Sequence, residues 1–399
     1  MEPRAALCQE VPILAGHRIG ITADRRADEQ AELLRQVGAE VVVGPVLRTL
    51  PLADDQPLRD ATDAVLRDPP QVVLMSTGIG MRSWLGAAEA WGSANALWDA
   101  LDGALLFARG PKAFAAAVQA GLTVWRREPT ERLEVMVDHL LADGVAGLHI
   151  VIQLHGDAVP WAVAALEGGG ARVTAVPIYR WVPPDDEGPA RRVIRDAVDG
   201  NLSALTFTST SAVRSTCRFA DADGLLDGLI AASRSGLVVG CVGPVTRSAA
   251  VEQGLEVACT PPAGRLGLLV RSVASTLRGR HIHLSAGGAD VLVQGSLVAT
   301  EHTRVALSDR ERQVLQVLAG RPGAVVSRDA LAREVWGSTD HDGAMDALLS
   351  RLRRQLAPTG LEITTRVRRG YQLLADTRSC PAPVDPVPDR PDPAPAVVG

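Results

Sequence analysis

A chain of 399 residues with 46% hydrophobic and 22% charged residues can bury more than one core, which excludes a disordered protein. Its five cysteines, Cys8, Cys217, Cys241, Cys259 and Cys380, include no C-x-x-C pair, which argues against a zinc site or a disulfide framework and fits a reducing compartment. The net charge of −5 hides an asymmetry, because residues 302–376 hold 12 Arg against 9 Asp and Glu, whereas residues 1–301 hold 27 basic against 34 acidic residues. A basic module on an acidic body predicts local attraction to phosphate. Lys112 is the single lysine, so that attraction falls to arginine. No basic-then-apolar leader opens the sequence, and no uninterrupted apolar run approaches the roughly 20 residues of a membrane span. A soluble, cytoplasmic protein with no membrane partner is expected.

From residue 18 onward, apolar strand-like runs alternate with helix-like segments. Strands are predicted over 18–22, 41–43, 72–75, 105–107, 149–154, 173–179, 204–207 and 238–242, with a helix over 27–37 after the first. Strands separated by helical stretches imply right-handed crossovers and largely parallel sheets covered on both faces, an α/β body. Two proline-containing extended stretches, 44–51 and 176–184, lie far enough apart in sequence to be paired strands joining two lobes. The expected division is one discontinuous lobe from 1–47 and 179–277, and a second from 48–178.

Ligands of such sheets sit in the turns after strand ends. Five turns share one character: S76-T-G-I-G80, R109-G-P-K112, H155-G-D-A158, T208-S-T-S211 and G243-P-V-T246. Glycine lets backbone approach a ligand, proline suits a first helical position, and Ser or Thr can cap. Each turn thereby offers free N–H groups and the positive end of a helix dipole to a carboxylate or phosphate. Ser76, Thr77, Gly78, Thr208, Ser209, Ser211, Gly243 and Thr246 are the candidate ligand-binding residues. Single turns of this kind are common in any α/β protein, and their occurrence in both lobes is what favours a ligand site.

The stretches I21-T-A-D-R-R26 with G38-A-E-V-V-V43, V176-P-I-Y-R180, F207-T-S-T-S-A-V213, C241-V-G-P-V-T-R-S-A-A250 and G254-L-E-V257 resemble uroporphyrinogen-III synthase, the HemD type of enzyme that closes a linear tetrapyrrole. That resemblance implies two α/β lobes joined by a two-stranded ladder, no metal or organic cofactor, and a polycarboxylate ligand held by backbone amides at helix starts. It also places Tyr179 where the family has a tyrosine proposed to assist loss of the substrate hydroxyl. As residues, Tyr179 and the WVPP run after it serve equally well to pack a hinge. One departure is that Ala23 and Asp24 stand before Arg25 where the family places Arg directly after Thr, and an aspartate there repels a polycarboxylate.

Trp84, Trp91 and Trp98 recur every seven residues, but Gly92 and Ser93 should break the helix, which makes them core residues rather than a stacking stripe. His281 and His283 alternate on a strand without a third metal ligand nearby, and are expected at the surface.

The remaining sequence predicts a second kind of module over 278–376. S308-D-R-E311 is a capping box that opens a helix with Val314, Leu315 and Leu318 on its buried stripe. Ser327 opens another helix ending at Trp336. A third helix spaces Met345, Leu348, Leu349, Leu352 and Leu356 by threes and fours, so that Gly343, Ala347, Ser350 and Arg354 project from the opposite side with Arg351 beside them. Small residues flanked by arginine suit a major groove, where Arg can make bidentate contacts to guanine or phosphate. A hairpin over 363–374 carries Arg366, Arg368 and Arg369 near its tip. L307-S-D-R-E311, the stretch PGAVVSRDAL from Pro322 to Leu331, V335-W-G337, D346-A-L-L-S-R-L-R-R354 and G370-Y371 together resemble the OmpR/PhoB-type winged helix-turn-helix domain, including its amino-terminal strands. Gly343 departs from the family, which usually has Arg there. The tail 377–399 is proline-rich and expected to be extended or disordered.

The combination resembles actinobacterial regulators of nitrate and nitrite assimilation, which implies double-stranded DNA as partner, a small anionic or tetrapyrrole-like effector, and a homodimer on DNA. The alternative is an active uroporphyrinogen-III synthase with a DNA-binding appendage.

Overall fold

The computed structural model describes residues 11–51, 56–130, 132–156, 159–338 and 342–377. The prolines of the expected tail and Asp157 and Ala158 of the third turn therefore lie outside the described residues. The chain forms two compact units, one from the residues up to Val46 together with those from Pro184 onward, the other from Leu47–Pro183.

In the second unit the parallel strands Arg172–Val182, His149–Gly156, Val72–Met75, Leu105–Ala108 and Val124–Arg127 lie side by side in that order. Arg48–Pro51 is added antiparallel at the Arg172–Val182 edge, with Arg48 opposite Val182 and Pro51 opposite Tyr179. The ladder expected from the two proline-containing stretches is thus an extension of this sheet. Its long strand is continuous, so Tyr179 to Val182 stay with the sheet and the chain leaves the unit only at Pro183. At Gly156 the strand pairing shifts, φ is +95°, and a Cβ would stand 2.5 Å from the Trp181 ring, so only glycine fits.

Val72–Met75 is buried at every residue, as expected of a parallel strand covered on both faces. Helices Gly78–Ala90 and Ala94–Asp102 pack one face, separated by Gly92 at φ +75°. Trp84 is fully buried there and donates from Nε1 to Thr62 Oγ1 at 2.9 Å, while Trp98 donates to the Ala120 carbonyl at 2.8 Å. Both indoles fill core and satisfy their N–H groups, as buried tryptophans require.

The first unit contains a four-stranded parallel sheet, ordered Val238–Cys241, Ala204–Phe207, Arg18–Ile21 and Glu40–Val43. One face is closed by helices Ala27–Gln36 and Leu266–Arg278 through Leu34, Leu269, Val273 and Leu277. After Gly279 the chain enters an antiparallel sheet of Ile282–Ala286, Ala289–Gln294, Leu297–Ala299 and Arg304–Ala306, with Asp376–Thr377 along the outer edge of the first of these. Helices Asp309–Ala319, Arg328–Trp336 and Asp342–Leu356 follow, then a small sheet in which Gly370–Leu374 lies between Val325–Val326 and Glu362–Arg366. Leu315, Leu318, Leu331, Met345, Leu349, Leu352 and Leu373 form its common core.

These two parts share a seam rather than a bare tether. Val11 packs with Leu292 and Ala299 of the module, while Leu14, three residues on, sits in the core of the α/β sheet. The Gln294 amide donates to the carbonyls of Pro12 and Ala15, each at 2.8 Å, and the Ser296 amide donates to that of Gly16 at 2.7 Å. His17 stands against His281, Nε2 to Nε2 at 3.2 Å with stacked rings, and its Nδ1 is 3.0 Å from Ser203 Oγ. The expectation of surface positions for His281 and His283 is therefore corrected. Both are partly buried, and His281, just before the strand Ile282–Ala286, is covered by its contact with His17, between residues 264 apart in sequence, which periodicity does not reveal.

Candidate nucleic-acid interface and ligand edges

The helix Asp342–Leu356 buries Met345, Leu348, Leu349, Leu352 and Leu356. Gly343, Ala347, Ser350 and Arg354 are exposed along one line, and a Cβ on Gly343 would meet only open space. Arg354 has no hydrogen-bond or ion-pair partner among the described residues. Arg351, beside that line, behaves differently. Its Nε donates at 2.5 Å to Glu311 of the capping box, whose side chain is almost wholly buried. Burial pushes the Glu311 carboxyl up, but the Arg351 guanidinium and the hydroxyl and amide of Ser308 hold it below the usual carboxylate range. Arg351 is thus half a structural residue, half exposed.

Arg353, which the sequence did not single out, fastens this helix to the hairpin through the Ile363 carbonyl and Thr365 Oγ1, both at 2.7 Å. A second fastening joins three elements. Arg328 makes two bonds to Asp346, at 3.0 and 2.9 Å, and donates to Tyr371 Oη at 2.8 Å, and that hydroxyl donates to Asp346 at 3.1 Å. Arg328 draws the Asp346 carboxyl below its ordinary range. At the hairpin tip Val367, Arg368 and Arg369 are exposed, Arg368 at φ +61°, while Arg366 is held to Gln372 at 2.6 Å. Gly370 has φ +126°, and a Cβ there would collide with the Val326 carbonyl, so glycine is what lets the wing lie against the preceding strand. An exposed face of small residues and one free arginine, next to a tip with two more, can enter a groove and meet phosphates on either side.

The candidate ligand residues fall in both units. In the Leu47–Pro183 unit, Thr77 caps the helix Gly78–Ala90 by accepting from the Gly80 amide at 3.1 Å. A Cβ on Gly78 would strike the Lys112 carbonyl, so the starts of this helix and of Pro111–Gln119 meet closely. Ser76 is buried with its hydroxyl unpartnered. Gln153, absent from the sequence expectations, accepts from the Thr77 amide at 3.1 Å and leaves its own buried NH2 unpartnered. Its signal was a lone amide within the apolar run H149-I-V-I-Q-L154, since a buried polar group needs a partner. Tyr179 is buried in the same unit's core, beside Trp181.

In the other unit, Ser209 caps helix Thr210–Ala222 by accepting from Ala212 at 3.1 Å and stands 3.1 Å from the Ser211 hydroxyl. Ala204–Phe207 and Val238–Cys241 are neighbours, so the turn with Thr208, Ser209 and Ser211 adjoins the turn with Gly243 and Thr246. Gly243 opens helix Pro244–Glu252 with free space at its Cα, and Thr246 is buried. Among the described residues no group of three or more His, Cys, Asp or Glu is placed to hold a metal, and no helix is long and apolar enough to cross a membrane.

An α/β body with two largely parallel sheets, carrying a winged helix-turn-helix domain, is the architecture of a DNA-binding transcriptional regulator. Residues 28–271 match the model of uroporphyrinogen-III synthase HemD, and residues 302–373 match that of the carboxyl-terminal domain of transcriptional regulatory proteins. The chain belongs to the uroporphyrinogen-III synthase HemD family, and its last domain is an OmpR/PhoB-type winged helix. It is 26% identical over 261 residues to the uncharacterized protein YjjA of Bacillus subtilis, a match that spans 65% of this chain and 96% of that protein. A mutant uroporphyrinogen III synthase from the extremely thermophilic bacterium Thermus thermophilus superposes with a TM-score of 0.56 at 25% identity, over 66% of this chain and 99% of that one. The DNA binding domain of CpxR from E. coli is 30% identical over 23% of this chain and 95% of that one, with a TM-score of 0.21.

Proposed function

We propose that this protein is a transcription regulator whose HemD-like body binds a small anionic or tetrapyrrole-like effector and whose winged helices, paired on tandem half-sites, read double-stranded DNA. The observation that carries it is the recognition face, where Gly343, Ala347, Ser350 and Arg354 stand exposed in line while the rest of the helix is locked by Arg351, Arg353 and Asp346. For the effector, support comes from helix starts at Gly78, Pro111, Thr210 and Pro244, and from the unpartnered donors of Ser76 and Gln153, which suit an oxyanion. Nitrate and nitrite assimilation genes are the proposed targets, supported by the pairing of domains that the sequence shares with actinobacterial regulators of that class. A cytoplasmic location follows from a DNA target.

The family match keeps one rival in play, an active synthase. Burial of Tyr179 in the sheet core favours a packing role for it over an acid–base role. Supplying the linear tetrapyrrole and scoring the inverted against the spontaneous cyclic isomer separates the two. The regulator predicts only the spontaneous isomer, and Tyr179-dependent formation of the inverted one would establish the enzyme. Thermal shifts with nitrate, nitrite and uroporphyrinogen III test the effector, since a ligand at 100 times its dissociation constant adds about 2.7 kcal/mol to stability. No shift with any of the three would contradict a sensing body of this class.

A further inference from the structure

The seam contains one group that ordinary domain packing does not need. Arg312, on the helix Asp309–Ala319, is buried, and its guanidinium is directed out of its own domain to the Gly200 carbonyl. Its other bonds are to Gln316 at 3.1 Å and, more distantly, to Asp309. A guanidinium buried on carbonyl oxygens is costly unless its bonds are well made, and removing its acceptors is worse than never having buried it. Gln313, next along the helix, donates to the Asp199 carbonyl at 3.0 Å. Gly200 has φ +71°, a left-handed conformation that favours glycine, and a Cβ there would stand 3.2 Å from the Gln313 amide, close enough to shift that side chain slightly.

Both contacts lie in a chain of connections that ends at functional surfaces on either side. Asp199 and Gly200 close the helix Gly188–Val198. Arg191 on that helix is held by Glu187 and by Asp223, and its guanidinium lies 5.2 Å over the Phe219 ring. Phe219 and Asp223 terminate the helix Thr210–Ala222, whose first turn is the ligand edge of Ser209 and Ser211. In the other direction, Glu311, one residue before Arg312, accepts from Arg351 of the recognition helix. Three helices, two ion pairs and one carbonyl seam therefore run from a candidate ligand turn to the helix Asp342–Leu356 within one compact unit.

We propose that Arg312 and Gln313 are positioning residues for DNA recognition, coupling the Ser209–Ser211 turn to the helix Asp342–Leu356 through the Asp199–Gly200 carbonyls. The coupling rests on the regulatory function proposed above and adds its route. Coupling between sites is reciprocal, so it can be read from the DNA side without knowing the effector.

The test is hydrogen exchange of the full-length protein with and without saturating sheared duplex DNA at low salt. In the wild type, DNA slows amides 343–354 directly and alters exchange at 199–201 and 210–213 by about threefold, the scale of a modest coupling. In Arg312→Ala the slowing at 343–354 persists, because Arg354, Arg368 and Arg369 are intact, while the change at 199–201 and 210–213 disappears. Gln313→Ala, which removes one seam bond of a half-buried side chain and leaves Arg312 in place, reduces the distant change by about half. Slowing at 343–354 with nothing transmitted in the wild type, or transmission undiminished in both variants, overturns the route while leaving DNA binding standing. No slowing at 343–354 in the wild type overturns DNA reading and the route together.

Discussion

Arg354→Ala in the full-length protein is expected to weaken specific duplex binding by about 10- to 100-fold, or ~1–3 kcal/mol, and to relax preference at one base position. The size follows from geometry. Arg354 is exposed on the face opposite Leu348, Leu352 and Leu356, it has no partner among the described residues to lose, and its removal leaves the core untouched. The variant therefore keeps its melting temperature, and the whole effect appears in affinity. Arg368→Ala at the wing tip should act differently, lowering affinity for all sequences and reducing the slope of log K against log salt by about one. Arg351→Ala should do both and also lower stability, because it strands the buried Glu311 carboxylate. Titrations of labelled duplex at several salt concentrations, alongside melting curves, separate the three. Equal affinity for wild type and all three variants would mean that this face does not meet DNA.

Acidification should weaken the first unit through the seam. In the unfolded chain the imidazoles titrate at their ordinary 6.5, whereas burial, with Arg312 and Arg280 nearby, lowers His17 to about 4. Burial, His17, His283 and Arg278 lower His281 to about 3, and His283 is itself lowered by burial against the pull of Asp290. Between these limits the unfolded chain binds more protons than the folded one. The stabilisation is full above pH 6.5 and is lost as pH falls toward 4. For His17 alone the loss between pH 7 and pH 5 is about 2 kcal/mol. Denaturant titrations at both pH values should show this loss in the wild type and a flatter dependence in His17→Gln, which keeps a side chain able to bond Ser203. Parallel pH dependences in the two proteins would remove the histidine contact from the account.

Much of the fold is legible in the sequence, for identifiable reasons. The capping box at Ser308 and Glu311, the cap at Ser327 and the three-and-four spacing of Met345 to Leu356 are local signals, and all three appear in the structure. So does the pairing of the two proline-containing stretches, whose extended character is set by residue type. What sequence did not reveal lies in contacts between distant residues. Arg312 meets Gly200 across 112 positions and His17 meets His281 across 264, and neither leaves a periodic trace. Arg351 was legible as a basic residue beside the groove face, but its hold on Glu311 depends on how two helices pack. The ligand edges were read from turn chemistry, which marks helix starts well and ligands poorly. Gln153 shows in sequence only as a lone amide in an apolar run, and the partners that give it a role, Thr77 and Gly80, lie more than 70 positions away.

The claim on which the rest depends is that this module reads DNA with the line from Gly343 to Arg354. Selection of bound duplexes from a random library by the full-length protein, with Arg354→Ala in parallel, tests it most directly. The wild type should enrich a recurrent half-site, repeated about one helical turn or 10 base pairs apart if two copies bind, and the variant should lose preference within it. A wild-type pool no more ordered than the starting library, or the same motif at equal strength from both proteins, would contradict it.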